Sequence, residues 1–595
     1  MNKKTRREFL GTLGTGAAVL GLGSASNLFA GETGASTMEK KVASEGPYGF
    51  KYFVGIVGNP SKPDIEWSDE QMKILKDLGV NMLQLSIAWG GQPANEVIGL
   101  EDLDADQRVK WTHRVKQANK FGFETLAQFG IPRIMSSAPG WASVRPACIL
   151  DPAVREKYRV LLADFLTTFP SVKNIMVYTY DQRAWVCSEF GPCPRCSGIP
   201  VEKRLPGFID HLMDTMQKHS PGSGLWWKPW ELTKGQTLKV VQSVKPAHFG
   251  LILNPSTSNE VYPFNDRSFK SDLGVKRLVA EAKDLDIPVI GEFDHTLYKG
   301  LYGMSDYCPR FVHDNLIGWK ELDGVVGIKE YYGFAPSLFS VNAAMLKAAM
   351  KSPEKSLPEL LKEIAAPYGE KAAPIMIQAW DYVARGIEAF PWDVTYLIGP
   401  MGLNKTDDGS HGWEPVTIPN GSWDTPIWES NRRGNFMLTK EYKAHPWLFE
   451  DAGLRLEDCA ALQLEAVKLF DKAIALGGNK VSDIKEQRDF VWHTARAVRG
   501  KGLHFVETIY SQSARILSYD PKQYGIVLKQ LDELLVKDLE NQGGAEPMAK
   551  KLADFRKDPT AWLNSNLSPL TYESICNIDW SKWISFPGEV GSAGH

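Results

Sequence analysis

Residues 52–60 (YFVGIVGNP), 81–90 (NMLQLSIAWG), 124–133 (ETLAQFGIPR) and 174–185 (NIMVYTYDQRAW) begin a series of short apolar runs, each ending in polar or aromatic residues. The series continues with 224–232 (GLWWKPWEL), 248–256 (HFGLILNPS), 288–296 (PVIGEFDHT) and 325–334 (VVGIKEYYGF). An amphipathic helical stretch follows each run, at 68–78, 104–121, 152–169, 201–219, 235–244, 270–285, 310–322 and 337–350. Several of these open on Ser or Asp and close on Gly, as in KDLGV and NKFGF, where Gly lets the chain turn back into the next strand. Strands alternating with helices are parallel βαβ units, and eight of them in about 300 residues predict one closed (β/α)₈ TIM barrel of the α/β class. Such a barrel places its chemistry at the C-terminal ends of its strands.

At 595 residues the chain exceeds one core, and its character changes after Ser352-Pro353. The pattern divides it into a leader at 1–30, a polar linker at 31–47, the barrel at 48–352, a mainly α-helical domain at 353–570 and a C-terminal arm at 571–595 (containing NIDWSKWISFPGEV). Within the helical domain, 391–445 is an irregular insert rich in Trp, Gly, Pro and Asn. From Gly453 to about Asp558 the apolar residues keep helical spacing, which predicts a bundle of four or five helices packed on the barrel.

The leader reads NKKTRREFL at 2–10, with the twin arginine Arg6-Arg7, then an apolar Gly/Ala/Leu stretch to Leu22 and small residues to Ala30. This is the pattern of a twin-arginine signal peptide, so the expected partner is the twin-arginine export machinery and the expected location is periplasmic or secreted. That route carries folded proteins, often with a metal or cofactor already acquired. The apolar stretch is too short and Gly-rich for a durable transmembrane anchor.

A net charge of −3 gives no reason to expect nucleic acid or an anionic membrane as partner. The 19 Trp residues are the departure from ordinary composition. They fit either a large core or carbohydrate binding, in which indole faces stack on sugar rings.

The strand ends carry the candidate chemistry. Glycosidic cleavage needs two carboxyl groups, one protonating the leaving oxygen and one acting as nucleophile or base. The fourth strand ends in Tyr180-Asp181-Gln182 and the seventh in Gly291-Glu292-Phe293-Asp294-His295, across the barrel mouth from each other. This makes Asp181 the candidate proton donor and Glu292 the nucleophile or base, with Glu231 and Glu330 as reserves. An acid at any one of these points could instead cap a helix or pair with an arginine. Trp89, Arg133, Trp185, Trp226, Trp227, Lys228, Trp230, Asn254, Asp294, His295, Tyr331 and Tyr332 are read as lining the same rim, a mix of stacking faces and polar groups suited to a polyol. Lys228, Arg133 and His295 could also meet a carboxylate or sulfate on an acidic sugar.

With these residues in place, the sequence resembles glycoside hydrolases built as a barrel followed by a helical domain, the α-glucuronidases and the β-N-acetylhexosaminidases with their relatives. The resemblance covers most of the chain in architecture and little of it in motif. It implies a glycosidase acting on a glycan or oligosaccharide, and the leader adds the expectation that this enzyme is exported. The largest retaining clan ends strand four in Asn-Glu, where this chain has Tyr180-Asp181. The hexosaminidases place two adjacent acids there, where Asp181 is followed by Gln182. The alternatives are a carbohydrate-binding barrel without turnover, and a sugar lyase or isomerase, which would require a metal or a Lys or His base at the rim.

Cys187, Cys193 and Cys196 fall within ten residues after strand four, and Cys148 lies after strand three. Four thiols from neighbouring loops suggest a structural zinc site, with one or two disulfides as the rival reading. Cys308, Cys459 and Cys576 read as free buried thiols. No cofactor is expected for catalysis: the histidines show no HExxH pairing, and no phosphate-binding Gly-rich loop or GxSxG follows a strand.

Overall fold

The computed structural model describes residues 49–56, 67–85, 105–130, 133–135, 144–146, 148–178, 193–229, 232, 234–253, 273–293, 307–330, 340–391, 404–405, 411–412 and 446–566. The expected leader, linker, C-terminal arm and most of the Trp-rich insert lie outside these residues. Among the described residues no helix is long and apolar enough to cross a membrane.

Eight strands close into a parallel barrel: β1 (Tyr52–Ile56), β2 (Met82–Gln84), β3 (Glu124–Gly130), β4 (Asn174–Tyr178), β5 (Gly224–Lys228), β6 (Phe249–Leu253), β7 (Val289–Phe293) and β8 (Val325–Glu330). Each pairs with its sequence neighbour, and β1 closes the ring on β8 through Tyr52↔Gly327, Phe53↔Ile328 and Val54↔Lys329. The connecting helices are α1 (Asp69–Leu78), α2 (Ala105–Lys120), α3 (Pro152–Thr168), α4 (Val201–His219), α5 (Lys234–Val241), α6 (Leu273–Asp284), α7 (Pro309–Lys320) and α8 (Val341–Lys351). Local chemistry sets their ends. Ser68 caps α1 by accepting from the Gln71 amide, Asp151 caps α3 from Ala153, and Ser340 caps α8 from Ala343. Gly79 ends α1 at φ +97°, a left-handed conformation in which a side chain would be strained. A short antiparallel pair, Arg133–Met135 with Val144–Pro146, decorates the β3 end.

Strand alternation divides the barrel residues between two cores. Phe53, Leu83, Ala127, Ile175, Trp227, Leu251, Val289 and Ile328 face outward against the helices. Val54, Met82, Leu126, Met176, Trp226, Ile252, Ile290 and Val326, one from each strand, fill the interior. This corrects the rim assignment of two tryptophans. Trp226 lies in the interior plug, its ring edge-on to Tyr52 and its Nε1 donating to Asn174 Oδ1 at 3.1 Å. Trp227 is fully buried on the outer face. Both precede Lys228 on β5, so neither reaches the mouth.

The helical region comprises α9 (Leu357–Ala365), α10 (Ala373–Ala389), α11 (Pro446–Ala475), α12 (Val481–Ile516), α13 (Pro521–Asn541), α14 (Glu546–Lys557) and α15 (Pro559–Asn566). Its core joins Ala379, Trp380 and Val383 of α10 to Leu456, Cys459 and Phe470 of α11 and to Ile484 and Val491 of α12. Tyr307, Cys308, Phe311 and Val341 from the barrel side enter the same cluster. Arg310 on α7 pairs with Asp381 at 3.2 Å and with Glu388, both on α10. The bundle is thus fastened to α7 and α8, on the seventh and eighth units of the barrel. Cys308 and Cys459 are free and buried within this core, and burial pushes both thiols up from the usual range.

Candidate active site

Two residues beyond the apolar plug, the inward side chains of four strands become polar. Met82 gives way to Gln84, Leu126 to Gln128, Trp226 to Lys228 and Ile290 to Glu292. On β8 the register shifts between Val325 and Gly327, which brings Lys329 level with Glu292. The change occurs at the C-terminal ends of the strands, so the mouth of the barrel has a polar layer resting on an apolar floor.

Glu292 is the centre of that layer. Its Oε1 accepts from Lys228 Nζ at 2.8 Å and from Lys329 Nζ at 2.7 Å, and all three side chains are buried. Lys329 Nζ also donates to the Glu330 carbonyl at 2.9 Å. Trp319 of α7 reaches through from the outer face to donate its Nε1 to the Glu292 carbonyl at 2.9 Å, which fixes the backbone of β7 at this residue. Gln84 Nε2 donates to Gln128 Oε1 at 2.7 Å on the β2–β3 side of the ring. Burial opposes ionisation of Glu292, but the charges of Lys228 and Lys329 and their hydrogen bonds outweigh it and hold the carboxyl below the usual range. It is therefore a carboxylate at neutral pH, able to act as base, nucleophile or electrostatic partner but not as proton donor.

Of the residues read from sequence, Glu292 and Lys228 are brought together. Glu330 is buried, but it is registered with Phe293, and the pleat sets it on the face opposite Lys329. The reserve acid therefore does not share the inward layer. Arg133 lies in the short antiparallel pair beyond β3. Trp89, Asp181, Trp185, Trp230, Glu231, Asn254, Asp294, His295, Tyr331, Tyr332 and Cys187 lie outside the described residues. Sequence reasoning missed Lys329, Gln84 and Gln128. The signal for Lys329 was a lone cation inside the apolar run VVGIKE, two residues before the strand gives way to Tyr331.

A second convergence of reactive groups among the described residues is Cys148, Cys193 and Cys196. Their sulfurs lie within 4.8 Å of one another, and all three residues are buried.

No protein-family model matches the chain, and no curated protein matches it in sequence. The fold is similar to that of CpGH84B, with a TM-score of 0.39 and 12% identity over 85% of this chain and 77% of that one. It is similar to a Thermobaculum terrenum O-GlcNAc hydrolase mutant, with a TM-score of 0.39 and 11% identity over 87% and 98%. A third solved structure is PbGH5A, a glycoside hydrolase family 5 enzyme from Prevotella bryantii, with a TM-score of 0.33 and 13% identity over 55% and 97%.

Proposed function

We propose that the chain is a glycoside hydrolase working at the C-terminal mouth of its barrel. The observation that carries this reading is the polar layer above the apolar plug, with Glu292 buried and kept ionised at its centre. Glycosidic cleavage needs one carboxyl group that is charged before the sugar arrives and a second that delivers a proton. Glu292 suits the first role, as nucleophile or base. The sequence assigns the second to Asp181, at the end of the strand across the mouth. Lys228 and Lys329 set the carboxylate's orientation and charge, and Gln84 and Gln128 supply amide groups of the kind that hold hydroxyls. The substrate in this reading is a glycan or oligosaccharide. Export by the twin-arginine route, which rests on the leader's sequence, belongs to the same proposal.

The test is a screen of the purified protein against aryl glycosides and polysaccharides, with Glu292→Gln and Asp181→Asn alongside. Each variant should lose release of reducing sugar while ligand binding survives. Full activity in both would overturn the assignment, and binding without turnover on any glycan would mark a carbohydrate-binding barrel.

A second reading is favoured by one observation. Two lysines, Lys228 and Lys329, share a single carboxylate at the inward layer, and a lysine there is the base that a sugar lyase or isomerase would use. Products with a new double bond, or an isomerised sugar in place of a hydrolysed one, would select it.

A further inference from the structure

The three cysteines come from two separate turns that open two adjacent helices. Cys148 begins a turn in which its carbonyl accepts from the Asp151 amide at 2.9 Å, immediately before α3. Cys193 and Cys196 sit on the turn that leads into α4. The Cys193 carbonyl accepts from the Cys196 and Ser197 amides at 3.2 and 2.9 Å, and that of Cys196 accepts from Ile199 at 3.0 Å. Gly198 completes this turn at φ +73°. The two turns are clamped together. Arg195, between the two thiols, pairs with Asp151 at 3.0 Å, and Asp151 is also the N-cap of α3. Arg155 Nε donates to the Ile149 carbonyl at 2.8 Å.

Within this clamp the thiols face one another and not the large hydrophobic core. They form a small cluster of their own, with Leu150 packed against it. Cys148 Sγ is 3.1 Å from Cys196 Sγ and 3.8 Å from Cys193 Sγ. The shorter distance is well beyond the roughly 2.05 Å of a disulfide bond. The longer one matches the roughly 3.8 Å edge of a tetrahedron of sulfurs held about 2.3 Å from zinc. One disulfide within the trio would join only two of these thiols, whereas a single ion engages all three.

We propose that Cys148, Cys193 and Cys196 bind one thiophilic divalent cation, zinc by its preference for tetrahedral sulfur, with a further donor from outside this trio closing the fourth position. Binding converts three thiols to thiolates and releases three protons to solvent. The ion's work is structural: it fastens the segment after β3 to the segment after β4, at the face of the barrel where chemistry occurs. This inference does not depend on the glycosidase reading, and its test does not use activity.

The full chain, purified without chelator, is assayed for metal by mass spectrometry. About one zinc per chain is expected, falling roughly tenfold in Cys148→Ser and Cys196→Ser, while Cys308→Ser keeps it. Cobalt exchanged into the wild-type protein should show thiolate-to-cobalt charge-transfer absorption of the strength given by three or more sulfurs. That measurement stands if a serine variant fails to fold. Metal content near zero, with the thiols either freely titratable after denaturation or joined as disulfides, would overturn the proposal. So would zinc retained in both serine variants.

Discussion

Lys228 reaches Glu292 across an intervening strand. The two stand on β5 and β7, with β6 between them, and their charged atoms are 2.8 Å apart inside the barrel. Lys329, on the adjacent strand β8, reaches the same oxygen at 2.7 Å. One carboxylate therefore ties together strands on both of its flanks, and its loss leaves two ammonium groups buried without their shared partner. Glu292→Leu should lower stability by about 3–5 kcal/mol, the cost typical of breaking a buried ion pair from one side. Denaturant unfolding of the variant against wild type measures this. A loss below about 1 kcal/mol would show that water or other groups take over from the carboxylate.

The same arrangement has a pH signature. The folded-state carboxyl is held below its ordinary range, so the unfolded chain takes up the proton first as pH falls. The stability contributed by Glu292 is fully present above the unfolded carboxyl value of about 4.3 and is lost as pH drops through the lower folded value. The stability difference between wild type and Glu292→Gln should therefore be flat from neutrality to about pH 5 and shrink only below about pH 4.3. The acidic limb of any activity profile above that range must belong to another group. A difference that instead shrinks between pH 5 and 7 would mean that the lysines do not control this carboxyl.

How far this site could be read in advance follows from which of its relations are local. The apolar runs marked all eight strands, and the position of Glu292 at the end of the seventh run marked it as a mouth residue. Its partners were a different matter. The pattern alone puts Lys228 at the rim as a ligand contact and gives Lys329 no role beyond its strand. Nothing in the spacing of 228, 292 and 329 says that they meet, because that depends on barrel closure and on the register shift in β8. Trp226 and Trp227 misled for a related reason. Tryptophan fits a sugar platform and a core equally well, and only the pleat, counted from the end of the strand, separates the two.

Two glycines hold this architecture by having no side chain. A Cβ on Gly250 of β6 would run into the Trp226 ring, and one on Gly291 of β7 would run into Trp319, the donor to the Glu292 carbonyl. Both rings are buried and rigid, so the strain cannot be relieved by a side chain swinging aside. Gly250→Ala and Gly291→Ala should each cost about 1–3 kcal/mol. Gly291→Ala should also quench or shift Trp319 fluorescence, since the indole loses its seat. Gly525 in α13 has open space around its Cβ position, and there alanine should stabilise by about 0.5–1 kcal/mol through helix propensity. Thermal or denaturant unfolding of the three variants tests the contrast. Equal effects at all three positions would remove the packing argument.

The seam between the barrel-side helices and α12 depends on a buried phenol. Tyr368, in the turn between α9 and α10, donates to Asp483 Oδ2 at 2.6 Å and accepts from Gln487 Nε2 at 2.8 Å, while Gln487 Oε1 accepts from Trp380 Nε1 at 2.9 Å. Burial, followed by the hydrogen bond to Asp483, pushes the phenol well above its usual range, so it stays a donor across all working pH. Tyr368→Phe keeps the ring's edge-on contact with Trp380 but strips a partner from both α12 residues. Gln487 is fully buried and cannot turn to water for a replacement. The variant should lose about 1–3 kcal/mol, the penalty for leaving a buried amide unsatisfied. Hydrogen exchange should show the start of α12 opening more readily than the barrel strands. Unchanged exchange at the start of α12 would mean that the apolar contacts of the bundle hold the seam without the phenol.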